Sequence, residues 1–227
     1  MTKNKSEPTP KPIVYRSVQK PLRPLLDQYH VEVDSCTACP LCSIPQRPVY
    51  NETRPVFRGN VPCDLLFVVP SPRRIDTLSN APLKGVEGDI LDEIANAILN
   101  FYPRLRMALI PAVHCYPYFD SLEKDHRDPT KQEIKTCNEL HGKKLLSILQ
   151  PSIIVLVGDI VKTAYPRPAS LEIDTRLIRY VHIRHPTSAL RSNNLAEYKR
   201  ESYYAIEKVL DEEGAIFCCN KPAKFTP

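Results

Sequence analysis

At 227 residues, with charged residues at 25% and a formal net charge of +5, the chain has room for one domain with a full core and is too short to argue for two. Eight cysteines without a signal-peptide pattern speak for a reducing, intracellular setting rather than a disulfide scaffold, and no apolar run approaches membrane-spanning length. The modest basic balance permits a nucleic-acid partner without requiring one.

The N-terminal stretch carries Pro8, Pro10, Pro12, Pro21 and Pro24 among Lys3, Lys5, Lys11, Arg16, Lys20 and Arg23. Proline at that density prevents regular ladders and leaves little apolar area to bury, so a disordered basic arm is expected over residues 1–29, with a folded domain over 30–214 and a short tail over 215–227. Leu65 to Val69 is a continuous apolar run of strand length, as in a sheet covered on both faces. From Glu87 to about Leu99, Ile90, Leu91, Ile94, Ala97 and Ile98 recur at helical spacing. Met107 to Val113 reads as a second buried strand that Pro111 ends or forces to an edge. Thr130 and Glu133 have capping-box spacing and open a helix through Cys137 and Ile148, which Pro151 stops.

Ser152 to Gly158 is the clearest strand, followed by a short helix. Arg179 to Ile183 forms a fourth strand, and Asn194 to about Glu213 the last helix. Strands alternating with helices predict an α/β fold: a three-layer αβα sandwich around a mostly parallel four-stranded sheet, with chemistry at the carboxyl ends of the strands. The loops 70–85, 114–130 and 184–194 are therefore the ones that matter.

Cys36 and Cys39 stand in C-T-A-C, where a two-residue gap lets two thiolates reach one metal centre, and Cys115 and Cys137 can close such a centre across the fold. An iron–sulfur staple, a Cys₄ zinc site and four buried thiols are the competing readings.

The order C-x-x-C, apolar strand, P-S-P loop, strand then cysteine, helix cysteine, I-I-V-L-V-G and H-P-T-S-A-L-R resembles the iron–sulfur uracil-DNA glycosylases called family 4, from about Cys36 to Glu213. The family's G-E-A-P-G, E-D, G-x-P-F and G-x-A-G elements lie on Val69 to Gly88, with Pro72, Pro82, Gly85 and Gly88 matching. The resemblance implies that Cys36, Cys39, Cys115 and Cys137 hold a [4Fe–4S] cluster, with zinc as the alternative. It implies that His185 stabilises charge on a departing base, that Leu190 wedges into the duplex and that Arg191 holds a phosphate. Ser71, Arg73, Arg74, Lys84, Thr187 and Ser188 are expected to line the path of the DNA.

This chain departs from the family at the base pocket. The motif-one glutamate falls on Pro70, the second glycine on Arg73, the stacking phenylalanine on Leu83 and the base-reading asparagine on Pro111. Asp76 is the local carboxylate left to orient water. The expected protein is a DNA-binding, base-flipping N-glycosylase acting on uracil or a modified pyrimidine in single- or double-stranded DNA. It is expected to be a monomer in the cytoplasm or nucleoid, working beside repair or replication proteins. The alternatives are a base-modifying transferase on the same scaffold and a non-catalytic DNA-binding or replication-associated subunit.

Overall fold

In the computed structural model the described residues are 20–42, 54, 56–117, 126–166 and 178–212. Residues 1–19 of the expected arm, and residues 213–227 with the expected tail of 215–227, lie outside them. Among the described residues the sheet has five strands where four were expected: β1 (Arg58–Gly59), β2 (Leu65–Val69), β3 (Met107–Pro111), β4 (Ile153–Val157) and β5 (Arg179–Ile183), in the order β1-β3-β2-β4-β5. β1, the added strand, pairs antiparallel with β3, and all other pairs are parallel. Two residues under an antiparallel register carry no periodic pattern, which is why the sequence conceals this strand.

Both faces of the sheet are covered. The helices are α1 (Arg23–Asp34), α2 (Arg74–Ser79), α3 (Val86–Phe101), α4 (Lys131–Cys137), α5 (Lys143–Leu149), α6 (Asp159–Ala164), α7 (Pro186–Ser192) and α8 (Leu195–Glu212). Leu65, Phe67 and Val69 of β2 pack with α3 and α8 in one apolar core, while Leu66 and Val68 point the other way into a core shared with α1, α5 and α6. Strands buried on both sides need no polar alternation, so β2 and β4 read as unbroken apolar runs.

Helix α1 begins inside the stretch expected to be an extended arm. Its Pro24 sits in the first turn, where the missing N–H would have had no helical partner. The Tyr29 hydroxyl lies 2.9 Å from His114 Nε2 in the interior and fastens α1 to the loop after β3.

Pro111 ends β3 as expected, although β3 is an interior strand. Ala112 N–H donates to Val69 O at 2.7 Å on the β2 side, so the nitrogen of Pro111 faces β1, whose register has already stopped at Leu109. No ladder bond is lost there. Thr130 and Glu133 form the expected capping box, Glu133 N donating to Thr130 Oγ1 at 3.2 Å and Thr130 N to Glu133 Oε2 at 2.7 Å. Between α4 and α5 lies a π-helical turn, Asn138–Gly142. Asn138 Nδ2 donates to Ala112 O at 3.2 Å and Ile134 O at 3.0 Å, binding the turn after Cys137 to the end of β3.

Candidate active site

The chain leaves β2 through α3 to β3 on one side and returns past β2 to β4 on the other, so the sheet has its switch point at the carboxyl ends of β2 and β4. Such a crevice is where open α/β sheets bind ligands. A cavity of about 420 Å³ lies there, walled by Pro70 and Ser71 after β2, Gly158 and Asp159 after β4, and His185 after β5.

His185 is the N-cap of α7, and Pro186 sits in that helix's first turn. The Thr187 backbone N–H points at His185 Nδ1 at 3.3 Å, and Thr187 Oγ1 lies 2.9 Å from the same nitrogen. A backbone N–H can only donate, so Nδ1 accepts and the ring proton resides on Nε2. Burial first, then the charge of Arg73, pushes the His185 pKa down to about 4, so the imidazole is neutral at pH 7. Beneath the ring, Gly158 has φ +95°, and a Cβ there would stand 3.3 Å from His185 Cβ. A side chain at 158 would strain the backbone and press on the histidine.

Thr187 is itself held. Arg73 Nη2 donates to its Oγ1 at 3.1 Å, Arg73 Nη1 bonds Glu87 Oε1 at 2.5 Å, and Thr187 Oγ1 lies 3.2 Å from that same Glu87 oxygen. Burial opposes ionisation of Glu87, but its own backbone amide, the charge and hydrogen bond of Arg73 and the Thr187 hydroxyl outweigh it and hold the carboxyl below its usual range. Arg73 and Glu87 stand on two departures from the family motif, the second glycine of G-E-A-P-G and the alanine of G-x-A-G.

The cavity also gathers Leu83, Ser188 and Arg191, together with His126, Arg127 and Asp128. Ser188 Oγ donates to His185 O at 2.7 Å. His126 Nε2 lies 3.4 Å from Ser71 Oγ, and Tyr116 packs on the His126 ring with centroids 5.7 Å apart. Arg127 joins Glu133 Oε1 at 2.6 Å and Oε2 at 2.8 Å, anchoring this wall to α4. A histidine followed by alternating charges looks like solvent-facing loop in sequence; only the fold brings it opposite His185.

Asp76 is not on the cavity wall. It is fully buried at 0% exposure, and its carboxylate accepts from Arg73 N at 2.7 Å and Lys84 N at 2.5 Å. Burial pushes its pKa up, against the backbone amides of Arg73, Lys84 and Leu83. The residue is therefore a strut between the start of α2 and the Leu83 loop. Leu83 takes φ +54°, an uncommon backbone for leucine, and its carbonyl would meet a Cβ on Gly88 at 2.0 Å. Asp76 and Gly88 together fix the loop that carries Leu83.

The remaining candidates stand apart from the cavity. Arg74 lies on the first turn of α2, Lys84 follows Leu83, and Pro111 closes β3. Leu190 is 40% exposed on α7, one residue before Arg191.

Cys36, Cys39, Cys115 and Cys137 line one small enclosure with Cys42, His114 and His141, walled by Val33, Leu41 and Val113. Arg54 donates to Cys36 O at 3.0 Å and also to Val33 O, tying down the turn that carries Cys36. Burial, then the neighbouring Cys115, Cys39 and Cys36, pushes the Cys137 thiol up to about 12. Ionising such a set needs a compensating cation, so the chemistry of the four donors suits a metal centre. Among the described residues, no group of three or more His, Cys, Asp or Glu side chains has the arrangement of an ion site. Cys42 turns its Sγ to Cys39 O at 2.8 Å.

A family model for the uracil DNA glycosylase superfamily matches residues 56–207. The chain is 28% identical over 133 residues to a type-4 uracil-DNA glycosylase of Saccharolobus solfataricus, and 27% identical over 133 residues to one of Archaeoglobus fulgidus. Each match covers 59% of this chain, and the matches span 55% and 59% of those relatives' own lengths.

Proposed function

The chain belongs to the uracil DNA glycosylase superfamily, and from that premise we propose that it excises uracil or a related pyrimidine from DNA by hydrolysing the N-glycosidic bond. The observation that carries this reading is the neutral His185, fixed by Thr187 with Nδ1 accepting, on the wall of a cavity at the sheet's switch point. Its Nε2–H is the donor for a pyrimidine oxygen as negative charge grows on the leaving base. A donor already in place costs no reorganisation as the bond breaks.

The base reaches such a cavity only after leaving the stack. Leu190, exposed on α7, is the wedge that fills the space left behind, and Arg191 beside it meets a phosphate. Leu83 closes the pocket with an aliphatic side chain that can cover a pyrimidine face without stacking on it. Pro111 offers no donor at the end of β3, so the choice of base falls to His185 and the shape of the cavity.

Cys36, Cys39, Cys115 and Cys137 are the ligands of a [4Fe–4S] cluster in this reading, supported by the four thiols sharing one apolar enclosure. The cluster's contribution is to tie the segment after α1 to the loop after β3 and to α4.

The test is to incubate the protein with single- and double-stranded oligonucleotides carrying uracil or hydroxymethyluracil and to treat the products with alkali. Strand scission at the modified position is expected. Intact strands on every substrate, with DNA binding retained, would remove the glycosylase reading.

A further inference from the structure

A glycosylase of this kind needs a group that takes a proton from water, and the two positions where one was expected do not supply it. Pro70 has replaced the carboxylate of the first motif, and Asp76 is sealed beneath α2 with both oxygens bound to backbone amides. The cavity nevertheless contains a second imidazole. His126 faces it together with Ser71, whose hydroxyl lies 3.4 Å from His126 Nε2, and Tyr116 packs against the ring. The wall is anchored on both sides, because Arg127 N–H donates to Pro117 O at 3.2 Å while the Arg127 guanidinium grips Glu133.

We propose that His126 is the general base of this site, accepting the proton of a water molecule that Ser71 Oγ orients toward the sugar. The proposal rests on the glycosylase reading of the same cavity. The water oxygen bonds to C1′, the C1′–N bond breaks with its electron pair passing to the base, and His185 Nε2–H stabilises the charge that arrives there. The water's proton goes to His126 Nε2 and is then lost to solvent, leaving an abasic sugar with a hydroxyl at C1′. His185 and His126 line the same cavity, and a charge on His126 would bear on His185.

The surroundings keep His126 in the form a base requires. Burial and then Arg73 lower its pKa, Asp128 raises it, Arg127 lowers it and Glu87 raises it, with the net effect downward from 6.5. The ring is therefore unprotonated at pH 7. The Ser71 contact is long for a hydroxyl–imidazole bond, and bonds of this kind commonly shorten only when substrate is bound. Asp128, the competing candidate, lines the same cavity.

The experiment uses the full chain and a single-stranded oligonucleotide with one uracil. Single-turnover release of the base is followed from pH 4.5 to 8 for wild type, His126→Gln, His126→Ala, Asp128→Asn and His185→Asn, each checked for wild-type-like thermal unfolding. His126→Gln should slow the chemical step by at least about 100-fold without weakening oligonucleotide binding, and should abolish the fall in rate on the acid side. Added imidazole should restore part of the rate in His126→Ala. His126 variants within threefold of wild type, beside an inactive His185→Asn, would overturn the base assignment and leave the glycosylase reading standing. A loss of rate in Asp128→Asn equal to that in His126→Gln, with no rescue by imidazole, would overturn it in favour of the carboxylate. A wild type that binds the oligonucleotide and releases no base would overturn both.

Discussion

Arg73 Nη1 lies 2.5 Å from Glu87 Oε1, and the same guanidinium reaches Thr187 Oγ1, on which His185 Nδ1 rests. Two side chains that interrupt the family motif thus meet each other, and their joint product is the orientation of the imidazole. Arg73, expected to line the DNA path, lines the cavity while its guanidinium also bonds Glu87 and Thr187.

Glu87→Gln tests that relay. The amide keeps the shape but loses the charge that balances Arg73, so Thr187 and His185 are held less firmly. Base release should fall roughly tenfold in rate, with oligonucleotide affinity little changed, because hydrogen bonds to charged groups are worth about 1.5–3 kcal/mol and this pair is partly exposed. Single-turnover kinetics beside a binding titration would separate the two effects; an equal loss in affinity and rate would contradict the positioning role.

Acid should destabilise the fold through His185. Its folded value of about 4 lies below the ordinary 6.5, so between those limits the unfolded chain binds a proton that the folded chain refuses. Stability from this group is level above pH 6.5 and falls as pH drops toward 4, by about 1.4 kcal/mol per pH unit within the window. Urea unfolding of wild type and His185→Asn at pH 7.5, 6 and 5 should show the variant losing less.

Asp76→Ala should behave as a folding lesion. Removing the carboxylate leaves the part-buried backbone amides at Arg73 and Lys84 without their acceptor, at a cost of about 1–3 kcal/mol. Thermal unfolding should fall by several degrees, while the folded protein keeps its chemical step to within a few-fold in Asp76→Asn. A hundredfold loss in that milder variant with unchanged stability would return Asp76 to catalysis.

Iron and acid-labile sulfide should each be present at about four per chain in anaerobically purified protein. Ser in place of Cys36, Cys39, Cys115 or Cys137 should remove both, whereas Cys42→Ser should retain them, since Cys42 Sγ already serves Cys39 O. Zinc at one per chain without sulfide would replace the cluster with the alternative metal.

Leu190→Ala should slow excision from duplex more than from single-stranded DNA. The wedge offsets the few kcal/mol of unstacking only where a stack exists, so a roughly tenfold gap between the two substrates is expected. Equal losses on both would assign Leu190 to the base pocket.

Strands β2 and β4 were legible because they are covered on both faces and so are apolar throughout, and the start of α4 because its capping box is a local signal. Helix α1 was hidden by prolines that occupy positions a helix tolerates. The π-helical turn follows from Asn138 reaching across to Ala112, a tertiary bond without sequence periodicity. At the site, the fold brings His185, Thr187 and Ser188 of one sequence motif to a single cavity. Asp76 misled because a carboxylate three residues after a loop reads alike whether it caps a helix or faces a substrate. His126 escaped notice because a charged loop carries no mark of what it is folded against.

Gly158 N–H donates to Ile183 O at 2.8 Å, so the backbone under His185 is stitched between β4 and β5. The acid side of the cavity is thereby indexed to the sheet itself, while the opposing His126 arrives on a long connection between β3 and α4. One wall is set by the strands and the other by the grip of Arg127 on Glu133 of α4. In the proposed function, substitutions at 126–128 can therefore change how water is delivered without moving the donor that stabilises charge on the leaving base.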